Sequence, residues 1–156
     1  MIKPRSAVGG LMVSAALLIG VLQHEGYTDH AVIPVPGDVP TIGAGRTEGV
    51  KMGDKTNPVR EMTYLLNNLE TRYAAGVRKC IAVPLYQHEF DAYVDLSYNV
   101  GVGAFCHSDI AKRLNRGDYQ GACEAIVGFR ATVNGIPVKG LANRRREEFE
   151  KCTGAG

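Results

Sequence analysis

Three carboxylates, those of Glu25, Asp29 and Asp38, lie in one short stretch of the chain. Hydrolysis of a glycosidic bond needs a carboxylic acid that protonates the leaving oxygen. It also needs a second carboxylate that activates water or forms a covalent intermediate. Glu25 suits the first role, because it follows an apolar run and precedes Gly26. A glycosidase site is therefore one hypothesis, although a glutamate at a helix end is usually only solvated.

Two other groups of reactive side chains indicate different chemistry. Four potential metal ligands lie close together in the sequence: His24, Glu25, Asp29 and His30. Their spacing does not match the HExxH metal motif, and His88-Glu89 is followed by Ala92 where that motif needs its second histidine. Cys106, next to His107, could be a thiol nucleophile, but a disulfide is its expected use. We therefore expect no metal and no cofactor.

The cysteines are Cys80, Cys106, Cys123 and Cys152, and none forms a CxxC pair. An even number of cysteines behind an export-type N-terminus indicates two disulfides in an oxidising compartment. Four cysteines allow three pairings. We favour Cys80 with Cys106 and Cys123 with Cys152, because each pair would join sequential helices. Each bond would contribute about 3 to 4 kcal/mol if it acts by restricting the unfolded chain.

Lys3 and Arg5 precede an uncharged run, SAVGGLMVSAALLIGVL, over residues 6–22. Such a run can lie across a bilayer with its basic end in the cytoplasm, but it is at the short end of the spanning range. A cleaved signal peptide would show a small-x-small site after its apolar core, and here the core continues into residues 23–25 without one. A permanent anchor and a weak, releasable anchor remain. The glycines and alanines of the run favour the weak anchor.

Beyond this run, the sequence predicts a mostly helical chain with one small β element. Apolar residues around a Pro36-Gly37-Asp38 turn predict a strand pair over residues 31–45, which its prolines confine to an edge or an isolated hairpin. Residues 131–140 predict a loop or short hairpin with a turn at Asn134-Gly135. Helices are predicted from Asn57-Pro58 to about Lys79, from about Phe90 to Val100, after Ser108 or Asp109, from Asp118, and from about Ala142 to Cys152.

The size and charge of the chain exclude some classes of function. A chain of 156 residues suits one domain that buries about two-thirds of its unfolded surface. Its 18 basic and 16 acidic residues give a net charge of +2, which is too balanced to indicate a nucleic-acid partner. The basic cluster at residues 144–146 could meet an anionic surface or form a solvated helix face. We expect a monomer.

Several motifs between residues 24 and 152 carry a family resemblance. They are Glu25-Gly26, PTIGAG at 40–45, FDAYVDLSYNVGVGAF at 90–105, GDYQGAC at 117–123 and GLANRRREEFEKC at 140–152. The chain resembles the phage-type lysozymes, whose motif is Glu, eight residues, Asp or Cys, five residues, then Thr in a T-x-G-x-G strand. Its apolar N-terminal run resembles that of the signal-anchor-release endolysins, which are held inactive at the inner membrane until the anchor escapes.

The resemblance implies roles for four residues of this sequence. Glu25 matches the catalytic acid, and Thr41 matches the threonine that helps to hold the reacting water. Asn99 matches a polar position that contacts the glycan, and Arg144 matches a basic residue near the catalytic glutamate. A capping or loop hydrogen bond is the alternative use of Asn99, and a surface helix charge is the alternative for Arg144.

The second carboxylate departs from the family pattern. Thr41 lies sixteen positions after Glu25 instead of fifteen, so the expected aspartate falls on Pro34 or Val35, and neither side chain can act as a base. Asp38 and Asp29 are the candidates to replace it. We prefer Asp38, which shares a short rigid segment with Thr41, although a Pro-Gly-Asp sequence also serves as an ordinary turn. Thr41 holding water alone is the remaining alternative.

The resemblance implies an α+β, mostly α, lysozyme-like fold with a small β-hairpin next to the catalytic cleft and an N-terminal apolar helix. It divides the chain into an anchor over residues 1–23 and a catalytic domain over residues 24–156. The implied partners are peptidoglycan strands and, through residues 6–22, the host inner membrane. The enzyme would be tethered on the periplasmic face and then released into the soluble periplasm.

The implied reaction is hydrolysis of the β-1,4 bond between N-acetylmuramic acid and N-acetylglucosamine, by the inverting route and without a cofactor. Two alternatives remain open. A lytic transglycosylase needs only one acid/base glutamate, and it would leave anhydro-muramic ends. A catalytically inactive, membrane-anchored peptidoglycan-binding protein would explain the missing aspartate.

Overall fold

The computed structural model describes residues 3–156, which form two compact units. The first unit joins residues 3–14 to Glu70–Gly156, and the second is Ala15–Leu69. The apolar run at residues 6–22 is therefore divided between them. The expected division at residue 23 concerns a membrane-bound form and stays a prediction.

The first unit is almost entirely helical. It contains a 3-10 turn at Val8–Gly10, most of a π-helical segment at Leu69–Ala74, and a short β-hairpin formed by β3 (Thr132–Val133) and β4 (Ile136–Pro137). Its α-helices are α3 (Ala75–Cys80), α4 (Gln87–Val100), α5 (Val102–Cys106), α6 (Asp109–Asn115), α7 (Tyr119–Glu124) and α8 (Lys139–Thr153).

Helix α4 is the centre of this unit. Its side chains are buried on nearly every side, including those of Phe90, Tyr93 and Leu96. The buried residues of α4 lie on several faces and include polar ones such as Asp95, and the helix packs against α8, α5 and α3. The disulfides Cys80–Cys106 and Cys123–Cys152 are the two that we favoured. They join α3 to α5 and α7 to α8, so the first pair does not link sequential helices as expected.

The local signals for helix ends are confirmed. Asn57, Ser108 and Asp118 each accept a hydrogen bond from a backbone N–H in the first turn of the helix that follows. The turn of the second hairpin lies at Asn134-Gly135, where both residues have positive φ, of 51° and 76°. Positive φ at both residues is typical of the two-residue turns that connect the strands of a β-hairpin.

The second unit contains helix α1 (Ala15–Glu25), strands β1 (Thr28–Val32) and β2 (Thr41–Gly43), and helix α2 (Pro58–Asn68). The strands pair antiparallel, with Thr28 opposite Gly43 and Val32 opposite Thr41. Because β1 spans more residues than β2 between these partners, it contains a bulge. The other edge of β1 bonds to residues 54–56. Ala31, Ile42 and Val50 form a small apolar cluster beneath the strands.

The strand prediction for residues 31–45 was only partly right. The first strand begins earlier, at Thr28, and residues 33–40 form a loop. Ile33, Val35 and Val39, which we expected to lie in the strands, are exposed in that loop. Pro34, Pro36 and Pro40 each lack a backbone donor, so a ladder cannot continue through this stretch.

The N-terminal run is folded against protein in both units. Ser6 forms two backbone hydrogen bonds with Leu85, and Leu17 and Val21 are buried in α1. Within residues 3–156, no helix combines the length and the apolar character needed to cross a membrane.

Candidate active site

Glu25 is the last residue of α1, and its position follows from how that helix ends. Leu17 and Val21 hold the helix by one buried face. Gly26 then takes a φ of 71°, and its N–H donates to the carbonyl of Leu22 at 3.0 Å. A glycine adopts this left-handed conformation without steric strain, so the chain turns away directly after Glu25. The Glu25 side chain is exposed at the surface of the unit.

The TIGAG segment forms a tight turn beside Glu25. The backbone groups of Ile42 and Arg46 exchange two hydrogen bonds, of 2.9 and 3.0 Å, which close the turn over residues 43–45. A side chain at Gly45 would place its Cβ 3.3 Å from Oε2 of Glu25. The carboxylate of Glu25 therefore lies against the backbone of this turn, and Gly45 permits the close approach.

Thr41 begins the strand that leads into the same turn. It pairs with Val32 across the hairpin, and its hydroxyl donates to the carbonyl of Val39 at 3.2 Å. The side chain is half-buried. The second unit thus brings Glu25 and the TIGAG turn together and carries Thr41 on the strand that enters the turn.

Both candidate aspartates are exposed and bonded to their own neighbours. Oδ1 of Asp38 accepts from the N–H of Val39 at 2.8 Å, which is ordinary turn chemistry. Asp29 lies in β1, and its Oδ1 is 2.7 Å from Nδ1 of His30. The hydrogen bond from His30 lowers the pKa of Asp29 below its usual value, so Asp29 is a carboxylate at neutral pH. The preference for Asp38 stays a prediction.

Asn99 and Arg144 lie in the first unit, within a buried charged cluster on α4 and α8. Nη2 of Arg144 donates to Asp95 at 3.0 Å, and only 9% of the Arg144 side chain is exposed. Arg144 is therefore not the surface charge that we considered as its alternative. Asn99 accepts a hydrogen bond from the neighbouring Arg145, whose side chain is fully buried.

Glu148 is the centre of that cluster. Its Oε2 is 3.0 Å from Nη1 of Arg145, and its Oε1 is 3.5 Å from Nε of Arg144. These distances bring opposite charges together, but neither contact has the geometry of a hydrogen bond. Burial raises the pKa of Glu148 to about 8, against the opposing effect of the arginines. Burial likewise lowers the pKa of Arg145.

Sequence reasoning missed Glu61, a buried glutamate in the second unit. Its carboxylate accepts from Nε and Nη2 of Arg46, at 3.0 and 2.7 Å, and from the hydroxyl of Thr56 at 2.6 Å. A signal was present, because Glu61, Leu65 and Leu69 recur at four-residue spacing on one face of a helical stretch. A charged residue on an otherwise apolar helix face indicates a buried partner.

The chain matches known proteins along most of its length. The family described as phage lysozyme matches residues 22–148. The chain belongs to the phage lysozyme family. Among curated relatives of this phage lysozyme, the SAR-endolysin of Pseudomonas phage phiKMV is 38% identical over 142 residues, covering 88% of this chain and 86% of that protein. The SAR-endolysin of Enterobacteria phage P21 is 30% identical over 151 residues, covering 94% and 91%.

Solved structures agree with the family assignment. The endolysin from Escherichia coli O157:H7 phage FAHEc1 matches this phage lysozyme with a TM-score of 0.83 and 36% identity, covering 95% of this chain and 97% of that one. The expected lysozyme-like, mostly α fold is therefore confirmed. Membership of the family makes the protein a phage lysozyme that acts on peptidoglycan as a glycoside hydrolase in host lysis.

Proposed function

We propose that this phage lysozyme is an endolysin that hydrolyses the β-1,4 bond between N-acetylmuramic acid and N-acetylglucosamine. Glu25 would donate a proton to the leaving glycosidic oxygen as the bond breaks. A water held by the Thr41 hydroxyl would attack the anomeric carbon, with Asp38 or Asp29 taking its proton. The contact between the Glu25 carboxylate and the TIGAG turn is the observation that carries this proposal.

The surroundings of the three carboxylates suit different steps of the reaction. A general acid must exchange its proton with solvent between turnovers, and the exposed Glu25 can do so. Asp29 is exposed and is a carboxylate at neutral pH, the form that can take a proton from water. Asp38 shares its loop with Thr41, which suits a carboxylate that must reach the same water. Asn99 and Arg144 are proposed to help to hold the glycan.

The test is digestion of purified sacculi with wild type, Glu25→Gln, Asp38→Asn and Asp29→Asn, followed by mass spectrometry of the released muropeptides. Glu25→Gln should lower the rate by about 100-fold to 10,000-fold, the usual contribution of a general acid. One aspartate variant should show a large loss and the other should not. Reducing muramic ends would support a muramidase.

Two outcomes would replace the proposal. Anhydro-muramic ends would identify a lytic transglycosylase, for which one acid/base glutamate is enough. Binding to sacculi without release of sugar, even by wild type, would leave the inactive binding protein. Circular dichroism of each variant shows whether a lost rate reflects lost folding.

We also propose that residues 6–22 first lie in the host inner membrane and tether the enzyme on the periplasmic face. Release would then let the run fold with the protein and free the enzyme into the periplasm. The names of the phiKMV and P21 relatives support this control. The contacts of the folded segment support it as well. Arg5, directly before the run, donates three hydrogen bonds to the carboxylate of the buried Glu89, at 2.7, 2.9 and 3.2 Å.

Four positions of the run allow a sharp test of release. Gly9, Gly10, Ala15 and Ala16 are exposed in the folded form, and a Cβ at either glycine meets no atom within 4 Å. Leucine at all four positions should therefore leave the folded enzyme intact while it strengthens membrane insertion. We expect the variant to stay in the membrane fraction and to delay or abolish lysis.

The matched control carries alanine at Gly9 and Gly10, which changes the same backbone positions with little added apolar surface. It should lyse cells at nearly the wild-type time. Release would be excluded as the control point if the leucine variant remained in membranes and lysis kept its normal timing.

A further inference from the structure

The ion pair between Arg46 and the buried Glu61 holds the TIGAG turn that contacts Glu25. Glu61 is 2% exposed, and it accepts two hydrogen bonds from Arg46 and one from Thr56. The Arg46 guanidinium also lies 4.5 Å from the centre of the Tyr64 ring. Every bond of this Arg46–Glu61 pair lies within the second unit, so the pair is anchored on α2 and on the residue that closes the turn.

Glu61 fills the space below Gly43. A Cβ built at Gly43 would lie 2.3 Å from Cγ of Glu61 and 2.4 Å from its Oε2. Real side chains do not approach this closely, so the turn rests directly on the Glu61 side chain. Gly43 also has a φ of 63°, a conformation that glycine adopts without strain. The first glycine of the motif is thus explained by contact with Glu61.

Glu25 contacts the same turn two residues further on. A Cβ at Gly45 would lie 3.3 Å from Oε2 of Glu25. Because Gly45, the second glycine of the motif, has no side chain, the turn can lie close to the Glu25 carboxylate. Glu61 contacts the turn at Gly43, and Glu25 contacts it at Gly45. A shift of the turn would therefore change the environment of the Glu25 carboxylate.

We infer that Glu61, through Arg46 and the TIGAG turn, is a positioning residue for Glu25. This inference rests on the proposed role of Glu25 as the acid. Glu61 does not contact the reacting atoms. Its charge holds Arg46, Arg46 closes the turn through its backbone bonds to Ile42, and the turn supports the Glu25 carboxylate. Small displacements of catalytic groups reduce rates strongly, so loss of the pair should reduce kcat.

The experiment compares purified enzymes on a soluble glycan-strand substrate, with kcat, KM and the pH profile measured per folded molecule. Glu61→Gln keeps the shape of the side chain but removes the charge that holds Arg46. We expect kcat to fall about 10-fold to 100-fold with little change in KM, together with a displaced limb of the pH profile. Thr56→Val keeps the Arg46 contact and should cause a smaller loss in the same direction.

The matched control is Leu65→Ala, one helical turn further along the same buried face of α2. It destabilises the same unit without removing the charge pair, so kcat per folded molecule should be unchanged. Rescue provides a second criterion. Combining Glu61→Gln with Arg46→Gln replaces the ion pair by two amides that can bond to each other, and kcat should recover relative to Glu61→Gln alone.

The outcomes separate this inference from the proposed function. If Glu25→Gln retains activity, Glu25 is not the acid and the proposed function fails. If Glu25→Gln is inactive while Glu61→Gln keeps the wild-type kcat and pH profile, only the positioning role is overturned. Equal losses in Glu61→Gln and Leu65→Ala would also overturn it, because both would then reflect stability alone.

Discussion

The two units of this phage lysozyme each bury a glutamate beside arginine, with opposite effects on its pKa. Glu61 accepts three hydrogen bonds, and the two from the Arg46 side chain are the main reason that its pKa lies below the usual value. Glu148 has Arg144 and Arg145 nearby, yet burial raises its pKa to about 8. Proximity to arginine is thus insufficient, and a carboxylate must also receive well-aligned hydrogen bonds to offset its desolvation.

The difference has a consequence for function. A fully bonded pair such as Arg46–Glu61 has one stable arrangement, which suits a support for the turn next to Glu25. The raised pKa of Glu148, about 8, means that this carboxyl group gains or loses its proton near neutral pH. Removing one partner should therefore have different effects in the two units.

The largest loss of stability is expected from replacing Glu61. Glu61→Gln leaves the Arg46 guanidinium without its carboxylate and should lower the free energy of unfolding by about 3 to 5 kcal/mol at pH 7. Glu148→Gln should change stability much less at that pH, because a group with a pKa of about 8 is already mostly protonated. Urea denaturation of both variants measures the contrast. Equal losses would show that the two glutamates are held alike.

A second prediction concerns the pH dependence of stability. The folded-state pKa of Glu148 lies above its ordinary value of 4.5. Between these values the folded protein binds a proton that the unfolded chain does not. Stability from this group should therefore fall as pH rises from 5 to 8, by at most about 1.4 kcal/mol per pH unit, and then level off. Glu148→Gln should remove that slope, and denaturation at pH 5, 6, 7 and 8 measures it.

Glu61 should behave in the opposite way at acid pH. Its pKa is lowered in the folded state, so the pair contributes stability above about pH 4.5 that is lost as pH falls further. Wild type should lose stability between about pH 4.5 and 3 more steeply than Glu61→Gln. If the stability of wild type and of Glu61→Gln fell equally over this pH range, the pKa of Glu61 would not be lowered in the folded protein.

A smaller effect is expected for the third hydrogen bond to Glu61. Thr56→Val removes the hydroxyl that donates to Oε1 at 2.6 Å while the Arg46 pair remains. The loss should be about 1.5 to 3 kcal/mol, typical of one hydrogen bond to a charged group. Thr56→Ser, which keeps the hydroxyl, is the control and should retain most of that stability.

The smallest effect is expected for an exposed ion pair. Nε of Arg113 lies 2.6 Å from Asp109 on the surface of α6, where water and salt screen the charges. Asp109→Asn should leave the thermal midpoint unchanged at physiological salt. A shift as large as that of Thr56→Val would mean that burial is not what separates the strong pairs from the weak ones.

Local signals in the sequence were sufficient for most of the fold. Helix caps at Asn57, Ser108 and Asp118 and the turn at Asn134-Gly135 depend on neighbours along the chain, and they were predicted correctly. The short helix α5 was not predicted, because its five residues, which follow directly on Gly101, are too few to establish a helical period. The extent of β1 and β2 was misjudged because strand ends depend on pairing partners that lie elsewhere in the chain.

The sequence by itself determined the family, the choice of Glu25 and Thr41 as candidates, and the separation of apolar from polar segments, because each depends on residue type and spacing. Only the tertiary structure decided that Glu61 lies under the TIGAG turn and that Glu148 is buried without aligned hydrogen bonds. The first depends on contacts between residues far apart in the chain, and the second depends on how α8 packs against α4. A carboxylate's burial and bond angles set its pKa, and neither is written in the order of the residues.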